Sequence, residues 1–349
     1  MTTNRLVSKY RLSDIASELG VSVSTVSRAL SGTGRMNPET RKKILHVAQR
    51  VYDRARPTAP AITKRMIGLF TPSYGASLGM GTSIAHVVQD AVRQVCETKG
   101  YGLVFSSFGN PAQPTLGDEL LDSGSLAGLI LYRTKDESGL ARELSRCGAP
   151  FIFAYRDLEG TGLNYVGIDA REVIQTAVAH CLTLGFSEIG LLCGDVSFPS
   201  HRSFRDEFLR AAAERKVPVE DGWVQEVQIS EEQGYAAAAR LIAGSCPRAL
   251  ICCSDRIAFG ALRAAGDLRK HVPKDLAILT IDGTVQTAFT RPALTAIQIP
   301  WFDMFSMAAR LLLEMIPDSH AIHQVAVKMA CKLVVRESTA NLRAARRAS

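Results

Sequence analysis

The chain has 349 residues, of which 46% are hydrophobic, and this composition supplies cores for one small domain and a larger domain of two lobes. Its net charge of +7 is uneven: residues 1–65 contain 13 basic and 4 acidic side chains, while the rest contains 28 basic and 30 acidic ones. These values exclude a disordered chain and place any polyanion-binding surface in the first fifth of the sequence.

The sequence carries no signal for export, membrane insertion or enzymatic chemistry. The start "MTTNRLVSKYRL" has no apolar region, and no run reaches the roughly 18 apolar residues of a membrane span. The eight cysteines lack the close pairs of a zinc site and the density of a disulfide scaffold, so we expect reduced, buried thiols. P-loop, GxSxG and HExxH motifs are missing. We therefore predict a cytoplasmic protein without membrane contact, which is not an enzyme and has no metal or cofactor.

Three short helices are predicted within residues 1–53. The first is N-capped by Ser13 and ends at Gly20, the second, "VSTVSRAL", is capped by Ser22, and the third begins at Asn37. Two short helices joined by a tight turn form a helix-turn-helix, whose second helix enters the major groove of DNA. The pattern thus predicts a small all-α DNA-binding domain.

The second helix has an unusual composition, because Ser, Thr and Val are mediocre helix formers. Val26, Ala29 and Leu30 are predicted to face inward. Small hydroxyl side chains allow close approach to a groove and can bond phosphates or base edges, and a valine can contact a thymine methyl group. The alternative is a three-helix bundle with a solvated basic face, but the charge asymmetry favours DNA. The predicted outward residues are Val23, Ser24, Thr25, Ser27 and Arg28.

The run "LSDIASELGVSVSTVSRALSGTGRMNPETRKKIL" resembles the headpiece of the LacI-type transcriptional regulators, and the match extends along the whole run without a gap. The resemblance implies that Val23 and Ser24 read bases, with Arg28 as a further base contact. It also implies that the protein binds as a homodimer to a near-palindromic, double-stranded DNA operator. Residues implied to lie near phosphates are Ser13, Ser22, Thr25, Ser27, Asn37 and Thr40.

Residues 54–65 form a predicted hinge or linker that departs from the family pattern. The family usually has a short hinge helix whose leucine enters the minor groove, but this segment contains Pro57 and Pro60 and has no leucine. Ile62 is the only candidate for such a wedge. A plain solvated linker is an equal alternative, and we expect little bending of the operator.

From Met66 onward, short apolar runs alternate with helix-length amphipathic segments, which predicts two parallel sheets covered by helices. The runs "ALICCSDRIAFGALRAAGDLRKHVPKDLAILTIDG" and "RPALTAIQIP" resemble the core of the same family, which implies an α/β two-lobed periplasmic-binding-protein-like domain after the helix-turn-helix domain. The predicted boundaries are 66–340 for this domain, about 66–162 and 296–322 for the first lobe, about 163–293 and 324–340 for the second, and 341–349 for a basic tail.

Ligands of such folds bind between the lobes, at the carboxyl ends of the strands. The resemblance implies that four residues bind the effector, namely Arg202, Asp282, Ser254 and Ser73. Alternatives remain open, since Arg202 could form a surface ion pair and Asp282 could cap a helix or join the lobes. Two further candidates depart from the pattern: Tyr155 stands where an aspartate is common, and Ile229 where an aromatic ring often stacks on the ligand.

The sequence therefore predicts a ligand-responsive DNA-binding transcriptional regulator, a repressor of a metabolic operon. Its effector is expected to be a sugar or a related metabolite. One alternative is a sugar-binding protein without a regulatory role, which would need an export signal and would not use residues 1–65. The other is an enzyme with its active site in the cleft, which would need a catalytic constellation that the sequence lacks.

Overall fold

The computed structural model describes residues 12–31, 37, 39–45, 47, 66–72, 82–108, 126–132, 134, 137–147, 149–316 and 325–340. The predicted linker with Ile62, the predicted ligand residue Ser73 and the basic tail 341–349 lie outside the described residues. The chain divides into two compact units, Met1–Thr63 and Lys64–Ser349.

The first unit contains helices α1 (Leu12–Leu19) and α2 (Val23–Ser31), and residues 39–45 form a third helix, α3. Helix α1 begins one residue before its predicted cap, Ser13. The tight turn between α1 and α2 includes Gly20, whose φ of 64° favours glycine. The buried apolar cluster that joins the helices consists of Ile15, Ala16, Val26, Ala29, Ile44 and Val47.

Leu30 differs from its prediction, because 44% of it is exposed. Val26 and Ala29, three residues apart on one face of α2, are buried against the neighbouring helices. A helix of nine residues has only a narrow buried stripe, and Leu30 lies at its edge.

The second unit contains two sheets. In chain order its strands are β1 (Met66–Pro72), β2 (Gly102–Phe108), β3 (Leu126–Tyr132), β4 (Phe151–Tyr155), β5 (Tyr165–Ile168), β6 (Ile189–Cys193), β7 (Val224–Glu226), β8 (Ala249–Cys252), β9 (Ala277–Asp282), β10 (Thr295–Gln298), β11 (Ala326–Met329) and β12 (Lys332–Val334). The first sheet has the order β11-β5-β4-β3-β1-β2, and the second has the order β12-β10-β9-β8-β6-β7. All neighbouring strands run parallel, except that β12 is antiparallel to β10.

The helices of the second unit lie between the strands, in the amphipathic segments of the sequence. Two of their N-termini are capped by side chains: Asp169 accepts from two backbone N–H groups at the start of α6, and Ser230 accepts from one at the start of α8. The helices are α4 (Thr82–Thr98), α5 (Glu137–Cys147), α6 (Ala170–Thr183), α7 (Pro199–Glu214), α8 (Glu231–Ala243), α9 (Asp255–Asp267) and α10 (Trp301–Met315).

The chain crosses between the sheets after β5, after β10 and between β11 and β12. These crossings differ from the predicted lobe boundaries. Strand β5 belongs to the first sheet, Thr295 begins a strand of the second, and the run from Val327 to Val334 contributes one short strand to each sheet. The reason is that short apolar strands look alike in sequence, whereas sheet membership depends on which strand they pair with.

The core is continuous between the lobes. Strands β3 and β9 are buried along their whole length, as expected for parallel strands covered on both faces. One apolar cluster contains residues of both sheets, for example Ile130 of β3 and Ile251 of β8.

The seven cysteines whose side chains are described are free thiols, and five of them are buried. Among the described residues, no helix is long and apolar enough to cross a membrane.

Two glycines allow α8 and α9 to pack with their backbones in contact. A Cβ atom on Gly260 would lie 2.0 Å from the carbonyl oxygen of Glu231, and a Cβ on Gly234 would lie 2.3 Å from that of Ile257. Arg256 of α9 also donates hydrogen bonds of 2.7–3.1 Å to the Glu231 carboxylate across this contact. The close approach therefore depends on the missing side chains.

We expect Gly260→Ala to destabilise the second lobe by at least about 2 kcal/mol, because the new methyl group would force the two helices apart. The matched control is Gly266→Ala in the same helix, where no atom lies within 4 Å of the new Cβ. That control should stabilise the protein by about 0.5–1 kcal/mol through helix propensity. Urea unfolding measures both. Equal effects of the two substitutions would contradict this packing.

Candidate DNA interface and effector cleft

The outward face of α2 presents one aliphatic side chain, several hydroxyls and one arginine, and α2 contains no acidic residue. Val23 is 45% exposed although it is apolar. Thr25 is half-buried. Such a face can lie against a polyanion without charge repulsion, and its short side chains allow the helix backbone to approach closely. The exposed residues are Ser22, Val23, Ser24, Ser27 and Arg28.

Hydrogen bonds hold the hydroxyls at the start of α2 together. Ser22 Oγ accepts from the backbone N–H of Thr25 at 3.1 Å, and it lies 2.8 Å from Ser24 Oγ and 2.7 Å from Thr25 Oγ1. A hydroxyl has one donor and two acceptor positions, so these groups keep capacity for a phosphate or a base edge. Arg28 Nε donates to the carbonyl oxygen of Ser24 at 3.3 Å, which holds the guanidinium along the same face.

The other predicted DNA contacts have local roles as well. Asn37 is exposed, and its Oδ1 accepts from the backbone N–H of Glu39 at 2.9 Å, so this side chain caps α3. Thr40 is half-buried in the first turn of α3. Ser13 lies in α1, but its side chain is outside the described residues.

In the second unit, the candidate effector residues lie at strand ends. Tyr155 ends β4 and Asp282 ends β9, while Ser254 follows β8 by two residues. Arg202 and Ile229 lie in the segments that follow β6 and β7. Carboxyl ends of parallel strands share one edge of a sheet, so four of these residues lie along one edge of the second sheet and Tyr155 lies on the corresponding edge of the first.

A buried carboxylate that the sequence analysis did not single out organises the edge near Asp282. Asp255 Oδ1 accepts from Thr280 Oγ1 at 2.9 Å and from the N–H of Gly283 at 3.2 Å. Its Oδ2 accepts from the N–H of Thr284 at 2.7 Å and from its hydroxyl at 2.6 Å. Burial raises the pKa of the Asp255 carboxyl, and these hydrogen bonds oppose that rise. Asp255 therefore ties the β9 terminus to α9.

Asp282 itself is held in a strained conformation. Its φ is 131°, a region that non-glycine residues rarely adopt, and it is only 7% exposed. One of its carboxylate oxygens accepts from the N–H of Asp255 at 3.3 Å, which caps α9. The next residue, Gly283, has a φ of 69°, and a Cβ there would lie 2.6 Å from the Gln298 Cα. Only glycine fits between β9 and β10 at this point.

Arg202 is exposed in the first turn of α7, and loop carbonyls fix its guanidinium. Its Nε donates to the carbonyl oxygen of Val196 at 3.0 Å, and its Nη2 donates to that of Ser197 at 3.5 Å. Asp195 Oδ1 accepts from the N–H of Ser197 at 2.8 Å and so stabilises this loop. Among the described residues, no carboxylate pairs with Arg202, and this leaves its positive charge available to a ligand.

Tyr155 does not face an open cleft, because it is only 5% exposed. Its ring stacks on the indole of Trp301, with centroids 5.0 Å apart and an interplanar angle of 18°. The ring of Tyr132 lies 5.6 Å from Tyr155 and 6.1 Å from Trp301. All three rings belong to the apolar cluster that contains residues of both lobes. A tyrosine packs here more readily than the shorter, charged aspartate that the family often has.

Two cavities flank this stack between the lobes. One of about 470 Å³ is lined by Trp301, by Ile84 of the first lobe and by Thr284 and Gln298 of the second. The other, of about 30 Å³, is lined by Tyr155 and by second-lobe residues that include Ser203. The aromatic stack therefore lies at the seam of the two lobes.

The remaining candidates are less polar or less accessible than expected. Ile229 is half-buried and packs against the second-lobe apolar cluster. Ser254 is 5% exposed and precedes α9 without a side-chain cap hydrogen bond. The described residues contain no group of three His, Cys, Asp or Glu side chains that could hold a metal ion.

Sequence reasoning did not identify two residues that shape this edge, Asp255 and Trp301. Asp255 follows a serine at the start of a helix, where an acidic side chain usually acts as an ordinary cap. Trp301 stands where the chain returns to the first lobe, and it is one of only two tryptophans. A tryptophan at a predicted crossing was the signal that could have identified it.

A helix-turn-helix unit followed by a two-lobed α/β unit with polar strand ends defines a DNA-binding regulator controlled by a small molecule. Residues 11–52 match the family described as "Bacterial regulatory proteins, lacI family", and residues 178–339 match a "Periplasmic binding protein-like domain". The HTH-type transcriptional regulator reg1 of Streptomyces lividans is 33% identical over 346 residues, which cover 95% of this chain and 97% of reg1.

Solved structures agree on the fold. A complex of the transcriptional regulator CelR with cellobiose has a TM-score of 0.71 at 20% identity and covers 95% of this chain and 100% of its own. A lac repressor dimer bound to operator and the anti-inducer ONPF has a TM-score of 0.69 at 21% identity. The match covers 95% of this chain and 99% of the lac repressor chain.

This chain belongs to the lacI family of bacterial regulatory proteins. The predicted fold class and family are therefore confirmed. The chain is a DNA-binding transcriptional regulator rather than an enzyme, as its relatives are.

The exposed Val23 predicts a thymine at one position of each operator half-site. Once an operator has been selected from random DNA, replacing that thymine by deoxyuridine removes one methyl group. We expect a loss of about 0.8 kcal/mol, roughly a fourfold weaker complex, because one buried methyl contact disappears. Val23→Ala should abolish the difference, whereas Ser24→Ala should keep it. Equal binding of both DNAs by the unaltered protein would refute the contact.

The Asp255 network gives a second prediction. In Asp255→Asn an NH₂ group would face two donors, so we expect a loss of about 1–3 kcal/mol in the free energy of unfolding. Asp267→Asn, in the last turn of the same helix, removes only an exposed pair with Arg263 and should cost less than about 0.5 kcal/mol. Urea unfolding compares the two variants. If the Asp255→Asn protein were as stable as its parent, the network would not contribute to the free energy of unfolding.

Proposed function

We propose that this protein is a repressor that binds a near-palindromic operator as a homodimer in the cytoplasm and changes its operator affinity when a small molecule binds between its lobes. The observation that carries the proposal is the exposed face of α2, where hydroxyls, one valine and one arginine are presented without any acidic residue. Family membership supports the same conclusion.

In this proposal, Val23 and Ser24 read base edges, and Arg28 adds a further contact in the major groove. The hydroxyls of Ser22, Thr25 and Ser27 bond phosphates and set the register of the helix on the DNA. Asn37 and Thr40 place the start of α3 near the phosphate backbone, where the first-turn N–H groups favour an anion.

The proposed effector is a sugar or a related hydroxyl-rich metabolite. Arg202 supplies a fixed cation, and Asp282 supplies a carboxylate whose position is set by Asp255. A carboxylate can accept from two neighbouring hydroxyls, and a guanidinium can donate to two oxygens. The solved complex of the regulator CelR with cellobiose supports this class of ligand. Ser254, Ile229, Tyr155 and Ser73 complete the proposed site.

The effector is coupled to the operator only through its differential affinity for the two lobe arrangements. Two measurements therefore test the proposal together. Operator selection with the full-length protein identifies the DNA, and a thermal-shift screen of sugars, sugar phosphates and purines identifies the effector. A ligand at 100 times its dissociation constant adds about 2.7 kcal/mol of stability, which such a screen detects. A protein that selects no DNA sequence would exclude the proposed function.

We expect Arg202→Ala and Asp282→Asn to bind the operator normally but to respond poorly to the effector. Losing a charged hydrogen-bonding partner costs a few kcal/mol, roughly a hundredfold or more in effector affinity. The matched control is Arg215→Ala, since Arg215 is exposed at the opposite end of the helix that begins near Arg202. Operator binding with and without effector measures the response. Lost operator binding with intact effector affinity would instead assign these residues a structural role between the lobes.

A further inference from the structure

Three hydroxyl groups at the start of α2 form a hydrogen-bonded chain with Ser22 in the middle. Ser22 Oγ lies 2.8 Å from Ser24 Oγ and 2.7 Å from Thr25 Oγ1, and both distances fit an O–H···O hydrogen bond. It also accepts from the backbone N–H of Thr25 at 3.1 Å. We call Ser22, Ser24 and Thr25 the hydroxyl chain. Ser24 is exposed and Thr25 is half-buried.

The number of hydrogens limits how the hydroxyl chain can be arranged. Each hydroxyl carries one hydrogen and accepts at two positions. Ser22 can give its hydrogen to only one neighbour, so the other neighbour must give its own hydrogen to Ser22. Together with the Thr25 N–H, these bonds fill all three positions of Ser22. Consequently, only one of Ser24 and Thr25 keeps a hydrogen that it can donate to DNA.

A phosphate contact selects one of the two arrangements. The phosphates of DNA are ionised and carry no hydrogen, so their oxygens only accept hydrogen bonds. Thr25 must therefore donate in order to bind a phosphate, and it then accepts from Ser22. Ser22 in turn accepts from Ser24, and this bond uses the hydrogen of Ser24. Toward the groove, Ser24 is left with an oxygen that only accepts.

We propose that Ser22 transmits the phosphate contact of Thr25 to Ser24, so that Ser24 reads the amino group of an adenine or a cytosine in the major groove. Only adenine N6 and cytosine N4 donate there, whereas guanine O6 and N7 and thymine O4 accept. The inference rests on the proposed function, because it takes Thr25 to bind a phosphate and Ser24 to face a base. It also narrows the role of Ser22, which supports the phosphate contact through Thr25.

Arg28 provides an internal reference on the same face of α2. Its guanidinium has donors only, so the base edge that suits it is the pair of acceptors on guanine. Its Nε donates to the backbone carbonyl of Ser24 at 3.3 Å and not to a hydroxyl of the chain. A change in the hydroxyl chain should therefore alter the base pair read by Ser24 and leave the base pair read by Arg28 unchanged.

The first test measures the direction of the Ser24 hydrogen bond. After operator selection with the full-length protein, Ser24→Ala identifies the base pair whose preference depends on Ser24. Purine in place of its adenine, or 2-pyrimidinone in place of its cytosine, removes only the amino group, and we expect roughly three- to tenfold weaker binding. A 7-deazapurine in the same base pair removes the N7 acceptor and should leave the affinity unchanged. In Ser24→Ala, neither analogue should matter.

Three results would overturn the inference and leave the proposed function standing. The first is equal binding with and without the amino group. The second is a loss of affinity with the 7-deazapurine in its place, which would show that Ser24 donates. The third is a selected operator in which Ser24→Ala changes no base pair. A protein that selects no DNA sequence at all would instead remove the proposed function, and the inference with it.

The second test asks whether the phosphate contact determines the base preference. Thr25→Val keeps the shape of the side chain and removes the hydroxyl, so Ser22 can donate to Ser24 and the hydrogen of Ser24 is released. We expect weaker operator binding together with a relaxed preference at the Ser24 base pair. Thr25→Ser restores the hydroxyl and should restore the preference. Ser22→Gly interrupts the hydroxyl chain, keeps most of the helix cap and should relax the same base pair.

The matched control is Ser27→Ala, because Ser27 is an exposed hydroxyl of α2 outside the hydroxyl chain. Loss of a phosphate contact alone should weaken all sequences alike. Repeated operator selection with each variant measures the preference, at one salt concentration throughout. If Thr25→Val weakened all sequences alike, as Ser27→Ala should, Ser22 would not transmit the phosphate contact and the inference would be wrong.

Discussion

The path of the chain between its two sheets is the constraint on which the second unit depends. The chain leaves β5, β10 and β11 at their carboxyl ends and reaches the other lobe within about three residues each time. Neighbouring parallel strands end at the same edge, so these crossings bring the carboxyl edges of both sheets to one seam. Polar strand ends that would otherwise be scattered over two lobes are thereby concentrated where a ligand can contact both.

Much of this architecture is encoded locally, and the sequence analysis recovered that part. The alternation of buried strands and amphipathic helices after Met66 was predicted, because hydrophobic periodicity is a local signal. Sheet membership was not recovered for β5 and β11, since pairing is decided by distant strands. The burial of Tyr155 and the role of Asp255 were missed for the same reason. Each depends on partners, Trp301 and the segment from Thr280 to Thr284, that are remote in sequence.

The two edges of the seam are stabilised by different interactions. Tyr155 and Asp282 each end a strand with a positive φ, one in each lobe. Around Asp282, a buried carboxylate accepts four hydrogen bonds, so the strained backbone is held from several sides. Around Tyr155, aromatic rings pack against one another, and the nearby Trp301 indole N–H has no hydrogen-bond partner among the described residues. Directional hydrogen bonds therefore fix the backbone at the Asp282 edge, whereas ring stacking contributes to the packing at the Tyr155 edge.

In the proposed two-state mechanism, a ligand contact that is equally strong in both lobe arrangements adds affinity but does not shift the equilibrium between them. An effector that is held by one lobe alone makes the same contacts in both arrangements, and it therefore cannot change the affinity for the operator. Coupling requires contacts from both edges of the seam, from the strand end near Asp282 in the second lobe and from the strand end near Tyr155 in the first.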